Sequence, residues 1–295
     1  IQEQSIPVIL EQRDLLGCAQ TGTGKTAAFA IPMIQLLAED LVSGKPTKAP
    51  KALILTPTRE LAIQIMESFA AYGRHIPLKR TVIFGGVNQH GQVMALQKGI
   101  DILIATPGRL LDLMNQGYVD FRSIQIFVLD EADRMLDMGF VNDVKKIIAK
   151  LPIKRQTLFF SATINEKIKK LAYSLVSNAI RIQISPKDPV SKNVQHAVAF
   201  IEMEEKRFFL ERIIHEHPDS KILIFVRTKV RAERVAKAME RANIKTLTMH
   251  SDKEHVERLQ VMEAFKTGKT KVLIATDINA RGIDIPNVDY VVNYD

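Results

Sequence analysis

The residues best suited to chemistry lie in the segment Ala19-Gln20-Thr21-Gly22-Thr23-Gly24-Lys25-Thr26. Small residues let successive backbone N–H groups turn inward on an anion. Lys25 supplies a point charge for the outer phosphates of a nucleotide, and the Thr26 hydroxyl is a ligand for a hard cation such as Mg²⁺. An apolar strand precedes this segment and the run Ala27–Ile31 continues it as a helix, the setting a phosphate-binding loop requires. Ala19 stands where the general pattern has its first glycine, and its side chain is still small. A second candidate is Asp130-Glu131-Ala132-Asp133, which follows the apolar run Ile126–Leu129. Asp130 suits the Mg²⁺ shell and Glu131 suits polarising an attacking water. A ligand-free turn and an acidic helix cap are the structural alternatives for these two segments.

Short β-rich runs alternate with amphipathic helical stretches, the pattern of an α/β protein with mostly parallel sheets and crossover helices. Strands are expected over 14–19, 52–56, 80–84, 101–105, 124–129 and 157–161, then over 195–201, 221–226, 245–249, 271–275 and 290–294. Apolar spacing predicts helices over 60–72, 141–150, 204–215, 230–241 and 254–266. The run from Ser185 to Asn193 contains Pro186 and Pro189 and little apolar content. It predicts a linker over 185–194 between one domain at 1–184 and another at 195–295.

The 295 residues are 46% hydrophobic and 25% charged, a composition that excludes disordered and collagen-like chains. No apolar run approaches the roughly 20 residues of a membrane span. The single cysteine, Cys18, rules out an intrachain disulfide and a cysteine-rich zinc site, and a cytoplasmic setting is expected. A formal net charge of +8 favours a polyanionic partner. The chain starts at Ile1 without an initiator methionine and stops in an apparent strand, so it reads as a fragment.

With these segments in view, the chain resembles the DEAD-box RNA helicases of superfamily two. The resemblance rests on an ordered series. Gln2 and the phosphate loop come first, followed by Pro57-Thr58-Arg59, Gly85-Gly86, Thr106-Pro107-Gly108-Arg109 and the acidic tetrad. Ser161-Ala162-Thr163, Leu223–Val226 with Arg227 and Thr228, and Ala275–Asp277 through Ala280–Asp284 complete it. The resemblance implies two RecA-like domains, with ATP and Mg²⁺ as ligands and single-stranded or duplex RNA as partner. It implies that Gln2 reads adenine and that 57–59, 85–86 and 106–109 grip the RNA backbone. Arg227, Thr228 and Thr276 are the RNA contacts expected in the second domain, and Asp284 the ribose contact. Ser161 and Thr163 would bond the tetrad and link ATP state to RNA grip; Thr163 with Glu166 also fits a helix capping box, and both readings can hold together.

Arg258 matches the basic member of a Gln-x-x-Arg element that has His255 in the glutamine position, and Asn279 stands where the family prefers Ala or Ser. The family's arginine-finger motif is not within the sequence, so the second domain is expected to be truncated. The activity implied is ATP-dependent local unwinding of RNA by a monomer, in which ATP and RNA bind in a cleft, closure bends one strand and hydrolysis at Glu131 releases it. The alternative is a nucleotide- and RNA-binding module with little turnover. A DNA-directed translocase and an ATPase acting on no nucleic acid are the remaining rivals.

Overall fold

The computed structural model describes residues 1–20, 22–43, 49–184, 194–276, 285 and 287–295. The chain divides into two compact units, Ile1–Ser191 and Lys192–Asp295. The expected linker lies outside the described residues apart from Val194, as do Thr21, Asn279 and Asp284. Among the described residues no helix is long and apolar enough to cross a membrane.

In the first unit the elements run α1 (Gln2–Leu10), β1 (Leu15–Cys18), α2 (Lys25–Ser43), β2 (Ala52–Leu55), α3 (Arg59–Tyr72), β3 (Arg80–Ile83), α4 (His90–Gln97) and β4 (Ile102–Ala105). They continue as α5 (Pro107–Asn115), β5 (Ile126–Leu129), α6 (Ala132–Asp137), α7 (Val141–Ile148), β6 (Gln156–Ser161), α8 (Glu166–Leu175) and β7 (Ile180–Gln183). The seven strands form one sheet in the order β3-β4-β2-β5-β6-β1-β7, and every pairing is parallel. The central strands are buried along their whole length, which is why they read as continuous apolar runs. Alternate residues feed opposite cores. Leu53, Leu103, Phe127 and Phe159 pack on one face, while Ile54, Ile102, Val128 and Phe160 pack on the other.

The second unit contains α9 (Lys206–Glu216), β8 (Ile222–Val226), α10 (Lys229–Arg241), β9 (Thr246–Met249), α11 (His255–Lys266), β10 (Val272–Thr276) and β11 (Tyr290–Asn293). Its four strands are parallel in the order β11-β8-β10-β9. Ile222, Ile224 and Ile274 enter a core with Leu210, Val235 and Met239, and Leu223 and Leu273 enter another with Met262 and Phe265.

Two readings of the sequence need correction. Residues 195–201 form no strand, and Val198 and Phe200 are 82% and 99% exposed. Alternating apolar residues supply a local preference, but a strand exists only where a neighbouring edge completes its hydrogen bonds, and no described strand pairs with these residues. Conversely, β7 was not foreseen. It adds to β1, and Asp14 fixes that junction by accepting hydrogen bonds from the amides of Thr157 and Ser177, each at 2.7 Å.

Candidate nucleotide and nucleic-acid site

The strand order of the first unit sets out the site. Along the carboxyl edge, β5, β6 and β1 are consecutive, so the segments that follow them, Asp130–Asp133, Ser161–Thr163 and the phosphate loop, lie side by side. On the other side of β5 come β2, β4 and β3, which end at Pro57–Arg59, Thr106–Arg109 and Gly85–Gly86. Ligands of open α/β sheets bind at this edge.

The loop after β1 turns on Gly22 and Gly24, whose φ angles of +80° and +86° are open to glycine and strained for other residues. Gln2, at the start of α1, donates from its side-chain amide to the Gly24 carbonyl at 3.3 Å. A β-carbon at residue 24 would strike that amide, so Gln2 and the loop are fitted to each other. Thr23 Oγ1 donates to the Gln20 carbonyl at 2.7 Å. Lys25 is buried and donates from Nζ to the Ala19 carbonyl at 2.9 Å. Its amide, with that of Thr26, opens the N-terminus of α2, a favourable place for phosphate.

Asp130 is 2% exposed. Burial, with the neighbouring charges of Glu131 and Asp133, pushes its pKa up to about 6 against the opposing pull of Lys25 and of the Glu131 amide that it accepts. Glu131 is also buried and takes the left-handed conformation at φ 51° and ψ 49°, a strain of roughly 1–3 kcal/mol that is typical of functional positions. Its carboxylate pairs with Arg134 one helical turn on. Sequence reasoning passed over Arg134, although its i+3 spacing from Glu131 is a readable signal.

Asp133 Oδ2 accepts from both the backbone amide and the hydroxyl of Thr163, each at 2.9 Å. Ser161 does not reach the tetrad; its hydroxyl donates to the Thr163 carbonyl at 2.8 Å and shapes the turn. The capping box expected of Thr163 and Glu166 is absent. The cap of α8 is Asn165, whose Oδ1 accepts from the Ile168 amide at 2.9 Å, leaving Thr163 committed to Asp133.

On the other half of the edge, the Arg59 guanidinium lies over Gly86, which has φ +76°, and a β-carbon there would collide with it. Gly85 and Gly108 face open space. Thr58 caps α3 by accepting from the Leu61 amide at 3.3 Å. Thr106 is buried and precedes Pro107 in the first turn of α5, whose N-terminus has no side-chain cap. Arg109 turns inward, donating to the Val87 carbonyl at 2.9 Å and to Gln92 Oε1 at 3.2 Å. It braces the loop that carries the glycine pair. Gln92, which also donates to the Phe84 carbonyl at 3.1 Å, was invisible in the sequence because only the tertiary fold brings α4 to this loop.

In the second unit β8 and β10 are neighbours with Val226 opposite Thr276, which sets Arg227 and Thr228 beside Thr276. Thr228 caps α10 through the Arg231 amide at 3.2 Å, and the Arg227 amide donates to Asp295 at 3.1 Å. Arg258 is buried in α11. Among the described residues no group of three His, Cys, Asp or Glu side chains could hold a metal by itself.

For the RNA-unwinding activity that the resemblance implies, Thr163→Ala is expected to leave ATP affinity unchanged and to lower the ratio of unwinding to ATP hydrolysis about tenfold or more, because one of two charge-assisted bonds to Asp133 is lost. A parallel measurement of both rates with an unchanged ratio would show that the contact only shapes the turn.

The chain matches the DEAD/DEAH box helicase family over residues 1–171 and the helicase conserved C-terminal domain over residues 205–295. It is 36% identical over its whole length to the ATP-dependent RNA helicase RhlB of Shewanella amazonensis, spanning 68% of that protein. It is 40% identical to the ATP-dependent rRNA helicase RRP3 of Yarrowia lipolytica, spanning 60% of it. The structure of S. cerevisiae Dbp5 bound to RNA and ADP BeF3 matches all of the chain at a TM-score of 0.84 and 31% identity, with 74% of that structure covered. The order of segments along one sheet edge and these likenesses agree, and the chain belongs to the DEAD/DEAH box helicase family.

Proposed function

We propose that the chain works as an ATP-dependent RNA helicase that separates RNA strands locally and couples that step to ATP hydrolysis. The observation that carries the reading is the strand order, which joins a phosphate loop and an acidic cluster to a run of glycines and helix N-termini suited to a polynucleotide backbone. In this reading Gln2 selects adenine, Gln20–Gly24 and Thr26 hold the phosphates and Lys25 neutralises their charge, with Thr21 completing the loop and Asp284 meeting the ribose.

The buried carboxylate of Asp130, with Glu131 and Asp133 beside it, calls for a cation. Asp130 and Thr26 would hold Mg²⁺, which when bound neutralises phosphate charge. Glu131 orients and accepts a proton from the attacking water, and its pairing with Arg134 fixes its position. Asp133 and Thr163 carry the state of the nucleotide side toward the RNA side. Thr58, Arg59, Gly85, Gly86, Thr106 and Gly108 line the RNA path with backbone amides, Pro57 and Pro107, which have no N–H, shape the turns that present them, and Arg109 positions the loop of the glycine pair. In the second unit the Arg227 side chain, Thr228 and Thr276 meet the RNA backbone. Backbone contacts of this kind bind RNA with little sequence preference. We place the protein in the cytoplasm and take it to act as a monomer.

The test is ATP hydrolysis with and without single-stranded RNA, using DNA of equal sequence for comparison. Stimulation by RNA and not by DNA supports the reading, since only RNA offers the 2′-OH. Equal stimulation by DNA would make the chain a translocase of another kind, and indifference to both an ATPase with a different partner.

A further inference from the structure

We propose that the outward ridge of α10 is an additional binding surface for the RNA backbone, extending the path that begins at Arg227 and Thr228. The inference rests on the helicase reading above. Ala232, Val235 and Met239 bury one face of α10. Arg234, Lys237 and Arg241 fall on the opposite face, at spacings of three and four residues, and all are exposed.

The other cations of this helix are occupied, Lys229 by Asp252 at 2.7 Å and Arg231 by Asp295 at 3.2 Å. Among the described residues, Arg234, Lys237 and Arg241 have no ion pair and no side-chain hydrogen bond. Among the described residues no acid of α10 forms an ion pair with the ridge. Glu233 accepts from His250 and Thr248 at 2.8 and 2.9 Å, and Glu240 stands on the flank. Three like charges on one face repel one another and gain when an anion lies along them.

The ridge leads away from the helix N-terminus, where Arg227 and Thr228 stand exposed at the end of β8. Arg234 to Arg241 spans about 10 Å, and the run from Arg227 about 20 Å. At a rise of about 3.4 Å per nucleotide in a helical strand, the three cations match about three phosphates. Charge, spacing and continuity with the proposed RNA contacts favour a polynucleotide strand over an acidic protein patch.

The test compares the 295-residue chain with the triple variant R234Q/K237Q/R241Q, using RNA of about 8 and about 25 nucleotides and a non-hydrolysable ATP analogue. Equal unfolding midpoints establish that the variant is folded. Wild type is expected to bind the longer RNA more tightly, and the variant to lose about tenfold or more on the longer RNA and little on the shorter. The salt dependence of the longer complex should become shallower by about 2 in log–log slope, at about 0.7 per phosphate contact. Unchanged affinity and slope on the longer RNA would overturn the proposal, leaving a solvated face or a protein-docking surface. Equal losses on both RNAs would overturn it too, since the ridge would then belong to the primary path. If wild type binds neither RNA, the helicase reading itself fails, and this inference with it.

Discussion

Asp130→Asn is expected to make the ligand-free protein more stable while abolishing Mg²⁺-dependent ATP hydrolysis. The Asp130 carboxyl is fully buried, and its pKa is raised to about 6 chiefly by desolvation. A group whose folded pKa exceeds its unfolded value binds more protons in the folded state. The unfolding free energy therefore falls as pH rises through the window from about 4 to 6. Above that window the ionised carboxylate costs up to about 3 kcal/mol, two pKa units at 1.36 kcal/mol each. Asparagine keeps an oxygen to accept the Glu131 amide and carries no charge. The variant and wild type should thus have equal stability below about pH 4, diverge through the window and differ most above it. Urea unfolding across pH 4–8 measures this directly. A variant less stable than wild type at pH 7 would refute it, and ATP with Mg²⁺ should stabilise wild type alone.

Glu131→Gln is expected to lower kcat by about 10²–10⁴, the range for loss of a general base, with nucleotide affinity little changed. The substitution keeps size and shape, so the left-handed turn at residue 131 and the start of α6 persist. Slow hydrolysis should also prolong the complex with RNA, since hydrolysis is the releasing step in the proposed cycle. Single-turnover hydrolysis and RNA dissociation, followed together, check both effects. A fall of less than about tenfold would remove Glu131 from the reacting water and leave Asp130 and Lys25 as the groups that matter.

Only the first substitution is expected to raise stability, because the two carboxylates are held differently. Glu131 has Arg134 beside it, whereas Asp130 is pulled toward its charged form mainly by Lys25 and the Glu131 amide, which desolvation outweighs. A carboxylate kept in a dry pocket is costly when nothing neutralises it, and in the proposed role of Asp130 as a cation ligand function is set against stability at one position.

Much of this was written in residue types. Gly22 and Gly24 occupy backbone conformations that side chains resist, and their loop was legible from residue types and spacing around Lys25, whereas Gly86, also at positive φ, was singled out only through the family resemblance. The central strands were legible because both their faces are buried, which demands unbroken apolar runs. The sequence thereby determined the α/β class, the phosphate loop and the acidic cluster, for which local chemistry and short-range periodicity are enough, and the family followed from the resemblance of its ordered motif series.

Tertiary structure decided which strand ends are neighbours, since parallel strands are joined by crossovers that local pattern does not order. It chose between two physically sound partners for Thr163, giving it Asp133 and leaving the cap of α8 to Asn165. It turned Arg109 inward, because the Val87 carbonyl and Gln92 meet it only once α4 is packed. It also denied residues 195–201 a strand and granted one to 180–183, since a strand is a relation between two segments. Hydrogen bonds between distant residues and the dielectric around a buried carboxylate exist only when the chain has closed on itself, and they set the geometry in which the legible residues act.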